Sequence, residues 1–244
     1  MLNKRILVLG GTGLAREAAN ALIASGAEVV SSLAGVTRHP HLPAGEIHLG
    51  GFGGVEGLVG YLLSENFDLV IDATHPFAAQ MSAHAVAACI QTKTKLLRLE
   101  QPPWQTQKGD QWREVATIGA AVDALPLGAR VVVTIGRKEI GAFFAQKDLC
   151  GLARMIEPPH QLAPPQWQVL LERPPFTLEA EIDLLRASQA QFLISKNAGG
   201  ARAAKLDAAA ALALPVIMVE RPTKPDVRTV AEVAELLGIL GNAD

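Results

Sequence analysis

Residues 68–78, DLVIDATHPFA, run an apolar segment of strand length directly into a hydroxyl, an imidazole and a proline: Thr74, His75 and Pro76. A buried strand that stops on such groups delivers reactive side chains to the carboxyl edge of a sheet, where open α/β sheets bind ligands. Pro76 is placed to open a helix over 77–90, at the first position, where a missing N–H costs nothing. An imidazole titrates near neutral pH, so His75 is the candidate catalyst, able to donate a proton when a hydride is added across a polarised double bond. A histidine at a strand end also serves to contact a cofactor, and His75 is a candidate for that role together with Thr74.

A second group of residues points to an anion. The run RILVL at 5–9 is followed by Gly10, Gly11, Thr12 and Gly13 and then by a helical pattern over 14–25. Glycines let backbone approach a phosphate, and the first N–H groups of a helix are unpaired and face it. The spacing departs from G-x-G-x-x-G: counted from Gly11 the third glycine is Arg16, and counted from Gly10 the second is Thr12 and the third Ala15. The strand expected at 27–32 lacks the acidic residue that would bond a ribose 2′-OH about 20 residues past the glycines. It offers Ser31, Ser32, Gly35 and Arg38 instead, a set of hydroxyls, backbone and one cation that suits a 2′-phosphate. A dinucleotide here would be NADP(H), as NADPH in a reduction. In GGFGG (50–54), glycine costs so much conformational entropy that a reason for close backbone approach is expected, and Gly51 and Gly53 join the cofactor-binding candidates. The plain alternatives are a structural tight turn and a solvated arginine.

In the second half, cations recur just past expected strands: Arg137 and Lys138, Arg173, Lys196, and Arg221. The ends of parallel strands share one edge, so these side chains are expected to form an electropositive mouth for a ligand with several carboxylates or phosphates. Asn197, Gly199 and Gly200 form a second glycine-bearing turn that can offer N–H groups to the same ligand. The six histidines show no H-x-x-x-H or H-E-x-x-H spacing, so no metal site is expected. G-x-S-x-G is missing, and with it the turn of a serine nucleophile.

These residues need a scaffold of alternating strands and helices, and the pattern supplies one. Strands are expected at 5–9, 27–32, 46–49, 69–73 and 95–99, and then at 130–135, 152–156, 168–172, 191–194 and 216–219. Helices fall between them, including 55–66, 138–146 and 178–187, with a last helix at 230–240. The alternation predicts α/β architecture with two Rossmann-like domains, each a mainly parallel sheet flanked by helices, and an active site in the cleft between them. A polar, weakly periodic stretch from Gln101 to Trp112 marks the division: 1–100 for the dinucleotide and 101–244 for substrate.

Composition narrows the functional classes. Of 244 residues, 49% are hydrophobic and 19% charged, which excludes intrinsic disorder. Aromatics are 5% and the net charge is −2, so neither base-stacking platforms nor a polyanion-binding surface is expected, and nucleic acid is excluded as a partner. No apolar run reaches the ~18 residues needed to span a bilayer, and no secretory signal pattern leads the chain. Cys89 and Cys150 lack metal-ligand spacing and sit in apolar surroundings, as expected of a cytoplasmic protein. No obligate protein partner is implied. On these residues alone, an NADP-dependent reductase or epimerase of a polyanionic metabolite and a non-enzymatic dinucleotide-sensing module both remain open.

Seven stretches together carry a resemblance: GGTGLAR (10–16), SLAGVT (32–37), GGFGG (50–54), DATHPFA (72–78), LLRLE (96–100), SKNAGG (195–200) and VERP (219–222). In this collinear order they resemble the precorrin-6A reductase family, which includes cobalt-precorrin-6A reductases. The resemblance implies reduction of one double bond of the precorrin-6A macrocycle by NADPH, giving precorrin-6B on the route to cobalamin. It implies a carboxylate-rich tetrapyrrole as the substrate of the cationic mouth. Val36 stands where the family commonly carries Arg, and Gly13-Leu14-Ala15 where members often show an acidic residue.

Overall fold

Thr12, Thr117 and Thr177 each lie in extended backbone and accept a hydrogen bond from the N–H three residues on, at Ala15, Ala120 and Ala180. Each thereby opens a helix, satisfying one of the donors that a first turn leaves without partners. In the computed structural model, which describes residues 3–33 and 44–241, such helices alternate with short apolar strands. The chain runs β1 (Arg5–Leu9), α1 (Gly13–Ala24), β2 (Glu28–Leu33), β3 (Glu46–Leu49), α2 (Val55–Glu65), β4 (Leu69–Asp72), α3 (Ala79–Thr92) and β5 (Lys95–Leu99). It continues through β6 (Trp112–Val115), α4 (Ile118–Asp123), β7 (Arg130–Val133), α5 (Gly141–Phe144), β8 (Cys150–Met155), β9 (Trp167–Leu171), α6 (Leu178–Ala187), β10 (Phe192–Lys196), α7 (Ala204–Ala211) and β11 (Val216–Val219). It ends with β12 (Thr229–Val230) and α8 (Val233–Gly241).

These strands build two six-stranded sheets, ordered β12-β5-β4-β1-β2-β3 and β6-β11-β10-β7-β8-β9. Neighbours pair in parallel throughout, for example Leu9 with Ser32 and Asp72, and Ile194 with Val133 and Ile217. Parallel strands need crossovers, and the helices that make them cover the faces, which is why β1 after Arg5, β4 before Asp72 and all of β11 read as apolar runs. In the first sheet Ile6, Val8 and Ile71 pack with Ala15, Leu22, Leu236 and Leu240, from α1 and α8. Leu7, Leu9 and Val70 face the other way, onto Leu58 and Leu62 of α2 and Ala85 and Ala88 of α3. In the second sheet Val132, Leu193 and Val216 pack on Leu185 and Leu206 from α6 and α7.

The chain forms two units, Pro103–Arg221 and the remainder, up to Pro102 and from Pro222. The division near 101 therefore marks only where the chain leaves the first unit. Residues from Pro222 on, expected in the second half, return: Arg98 N–H donates to Arg228 O and Glu100 N–H to Val230 O, extending the first sheet past β5. The two-residue β12 is too short to carry a periodicity, and because it contains Val230 the last helix begins at Val233. Trp112–Val115, expected as the end of a polar linker, is an edge strand paired with β11, and its exposed side chains hide the strand pattern. The helix expected at 138–146 is reduced to α5. Pro76 does not open α3: Ala78 N–H donates to His75 O at 2.7 Å, closing a turn, and the helix starts at Ala79.

Candidate functional site

The first sheet reverses its strand order between β1 and β4, so the loops that follow these strands leave in opposite directions and open a crevice at their carboxyl ends. Gly10 turns the chain out of β1 with φ +130°, and a Cβ there would lie 2.4 Å from Ala73 O. Only glycine lets the two loops pass this closely. They are then tied together: Ala73 N–H donates to Leu9 O at 2.9 Å and Thr12 Oγ1 to Ala73 O at 3.1 Å. Thr12 Oγ1 also accepts from Ala15 N–H at 3.0 Å, so a single hydroxyl starts α1 and anchors it to the end of β4. The first-turn N–H groups that Thr12 leaves unserved are free of intrahelical partners by geometry. The first turn has no acidic side chain, and the space over Gly13 is open. This cradle fits a phosphate.

At the end of β4 the polar residues form a connected set. Asp72 is 1% exposed and ion-paired with the buried Arg98 at 3.1 Å. Its other oxygen accepts from Thr74 Oγ1 at 2.6 Å and Thr74 N–H at 3.3 Å, and Ser82 Oγ lies 3.3 Å from Thr74 Oγ1. Burial alone would push the Asp72 carboxyl up. Hydrogen bonds from Thr74 and Ser82, the charge of Lys224 and the hydrogen bond from Arg98 outweigh it and hold the group below its ordinary value. Arg98 reaches Pro225 O at 3.0 Å, and Lys224 is ion-paired with Glu100, so the returning segment is fastened to the same edge. His75, exposed, accepts Phe77 N–H on Nδ1 at 3.2 Å, which leaves Nε2 as the proton-bearing nitrogen of the neutral ring.

The other residues expected near a cofactor lie along this edge or within it. Ser31 and Ser32 lie near the end of β2 but are buried; Ser31 Oγ has no hydrogen-bond partner among the described residues, and Ser32 contributes its carbonyl to Gly10 N–H at 3.0 Å. Gly51 and Gly53 are exposed after β3, with open space where a side chain would stand. Between them Phe52 stacks on His48 at 4.6 Å, which shapes the loop from its inner side. Gly35 and Arg38 lie outside the described residues.

In the second unit the expected cations are largely matched by acceptors. Lys196 is ion-paired with Glu139 at 2.7 Å, and Arg173 with Glu157 at 3.0 Å. Arg221 donates to Asn197 O at 3.0 Å and Ala198 O at 2.8 Å, fixing the turn after β10 in which Gly199 and Gly200 adopt positive φ. The Asn197 amide is engaged on both sides by Trp104, accepting its N–H at 2.7 Å and donating to its carbonyl at 3.0 Å. Lys196, Asn197 and Arg221 are thus together. Arg173 follows β9, three strands from β10, roughly 14 Å away at the usual strand spacing. Arg137 and Lys138 follow β7, half-buried and exposed respectively.

A family model described as Precorrin-6x reductase CbiJ/CobK matches residues 5–240. The chain belongs to this family. It is therefore an oxidoreductase, in which the two Rossmann-like units and the crevice at β1 and β4 have their place. The precorrin-6A reductase of Rhodobacter capsulatus is 46% identical over 240 residues, 97% of this chain and 94% of that protein. That of Rhodococcus erythropolis is 43% identical over 241 residues, 97% of both. A solved structure titled CobK precorrin-6A reductase superposes with a TM-score of 0.91 at 44% identity, covering 98% of this chain and 97% of that one.

In this chain several polar residues of the two edges have partners that the sequence motifs do not record. Asp72, Arg98 and Glu100 stand inside or beside apolar strands, and Lys224 lies in a loop that belongs to the other half of the sequence. The one available signal was charge within strand-like runs, LVID and KLLRL, since a buried charge needs a partner. In the second unit Arg154 carried the same signal in the strand expected at 152–156, whereas Glu181 and Lys205, on helices, did not. No group of three or more His, Cys, Asp or Glu able to hold a metal occurs among the described residues, and no described helix is long and apolar enough to cross a membrane.

Proposed function

We propose that this protein reduces one double bond of the precorrin-6A macrocycle, with NADPH as reductant, to give precorrin-6B on the route to cobalamin. The observation that carries the reading is the phosphate cradle of Gly11, Thr12 and Gly13 tied to Ala73, the residue before Thr74 and His75, at the switch point of the first sheet, in a chain of this family. When bound, the nicotinamide supplies the hydride. The protein's own part is to bind, orient and exclude water, which suits a site with more positioning groups than reactive ones. Gly10 to Gly13 hold the pyrophosphate, and Gly51 and Gly53 give the cofactor close backbone approach. Thr74, held by Asp72, and His75, held through Nδ1, orient the nicotinamide. The end of β2 bears Ser31, Ser32 and Leu33 and no carboxylate, which favours a 2′-phosphate over a free ribose hydroxyl. The second unit binds the carboxylates of the tetrapyrrole through Arg137, Lys138, Lys196, Arg221 and the N–H groups at Gly199 and Gly200, with Arg173 at its margin. Both cysteines are unpaired, as suits a reducing cytoplasmic setting.

Anaerobic incubation with precorrin-6A and either NADPH or NADH tests the proposal. Oxidation of NADPH with formation of a dihydro product is expected. Silence with both cofactors would end the assignment, and equal turnover with NADH would defeat the argument from the missing acid.

A further inference from the structure

The loop after β3 contains Gly50, Gly51, Gly53 and Gly54 around a single aromatic, and that aromatic fixes it from within. The Phe52 ring stacks on His48 of β3, with centroids 4.6 Å apart and planes 6° apart. Tyr61 of α2 closes the cluster, 5.2 Å from Phe52 and 4.8 Å from His48. It continues to Phe67 at 5.6 Å, which roots the rings in the core between α2 and the first sheet. The loop backbone is held as closely as the ring. A Cβ at Gly57, in the first turn of α2, would lie 1.6 Å from Phe52 O, so only glycine lets the helix seat the loop at this distance. Gly50 N–H donates to Leu33 O at 2.9 Å, tying the start of the loop to the end of β2.

Strand order decides what the loop can meet. β1, β2 and β3 are neighbours in the sheet, and Ser32 is the register partner of both Leu9, just before the phosphate cradle, and His48. The loop therefore stands two strand spacings, roughly 10 Å, along the edge from the end of β1. In a fold of this kind the pyrophosphate lies at the β1 turn and the adenosine ribose at the end of β2, so the adenosine half of a dinucleotide extends toward β3. Gly51 and Gly53 are exposed there, with no atom near where a Cβ would stand. A mobile glycine segment would lose its conformational freedom when a ligand bound, whereas this one loses it when the protein folds. His48 Nε2 is buried without a hydrogen-bond partner among the described residues, so this nitrogen adds nothing to the stack and the imidazole serves the loop through its face.

We infer that His48, Phe52, Tyr61 and Gly57 are positioning residues for the cofactor, holding loop 50–54 as a preformed wall against the adenosine half of NADPH. This deepens the proposed binding of NADPH at the first sheet and rests on it. The adenosine carries no reacting atom, so the wall sets affinity for the cofactor and leaves the hydride step unchanged.

His48→Ala removes the stacked ring, and His48→Phe restores a ring without either nitrogen. With folding checked by circular dichroism, H48A is expected to raise the Kd for NADPH, read by fluorescence titration, about fivefold or more, and H48F less than about twofold. Adenosine 2′,5′-bisphosphate, the adenosine half alone, should lose affinity for H48A by the same factor. At saturating NADPH, kcat and the KM for precorrin-6A should stay within about twofold of wild type. Phe52→Leu fills the space without stacking and should weaken both ligands as H48A does, which supplies the test should H48A not fold. Wild-type affinity for NADPH in H48A or F52L, binding by H48F no tighter than by H48A, or weakened NADPH with adenosine 2′,5′-bisphosphate unaffected would each overturn the proposal. Wild-type protein that binds neither ligand would instead remove the cofactor site on which it rests.

Discussion

His75 shows why residue type and role must be separated. Its Nδ1 is held by Phe77 N–H, so the imidazole is oriented before any ligand arrives. An orienting role predicts that His75→Ala lowers kcat by roughly tenfold while the Kd for NADPH changes little, because misplacing a reacting group costs rate more than affinity. Stopped-flow hydride transfer beside fluorescence titration of NADPH would show this, and unchanged turnover would remove His75 from the site. Asp72 holds the neighbouring Thr74 through its N–H and Oγ1 and is ion-paired with Arg98. With its pKa below the ordinary value, its contribution to stability is complete above about pH 4 and is lost as pH falls through the lower folded value. Asp72→Asn should cost about 3–5 kcal/mol at neutral pH, since it leaves Arg98 buried and unmatched. Thermal melts should show the gap from wild type closing below about pH 4; a gap independent of pH would mean that the carboxylate charge is not what holds the edge together. Cys89 offers a simpler check. Burial and the nearby Asp72 charge push its thiol up to about 12, so it should resist alkylation at pH 8 in native protein and react once unfolded.

Among the elements, the returning segment has the largest consequence. β12 adds only two residues to the sheet, yet Lys224 and Pro225 before it bond Glu100 and Arg98, and α8 after it packs on α1. Leu236 is fully buried in that contact. Its replacement by Ala should cost about 2–5 kcal/mol, and removal of the chain after Arg221 should abolish NADPH binding by exposing the α1 face of the first sheet. Calorimetry and cofactor titration of the two variants would test this, and a truncated protein that still bound NADPH at wild-type affinity would show the segment to be dispensable. The helix starts carry a different lesson. Thr12, Thr117 and Thr177 cap their helices, but α3 begins at Ala79 with no side-chain cap, because the turn at His75 takes up the residues that Pro76 would have made its first turn.

For the molecule as a whole, charge complementarity follows from matched pairs more than from surplus. The net charge is −2, and the cations at the second sheet's edge are mostly held by acceptors. Substrate carboxylates would then be bound by short-range contacts with a modest screened component. Raising salt from about 0.05 to 0.5 M should raise the KM for precorrin-6A severalfold, not by orders of magnitude. A much steeper dependence would indicate a strong unmatched cationic surface.

The sequence alone determined the repeating unit and which strand ends share an edge. Apolar runs, glycine turns and helical periodicity are local properties, and the right-handed parallel crossover turns them into sheets with few alternatives. That is why RILVL before the glycines and LVID before Thr74 and His75 could be set at one edge. Tertiary structure alone decided which side chains meet there. Asp72 and Arg98 are 26 residues apart, and Arg98 and Pro225 are 127 apart. Lys205 is 71 residues from Thr134. Strand order, not spacing along the chain, creates these contacts. It also decided which cations remain available, since an ion pair such as Lys196 with Glu139 depends on where two loops end, and no local pattern records that.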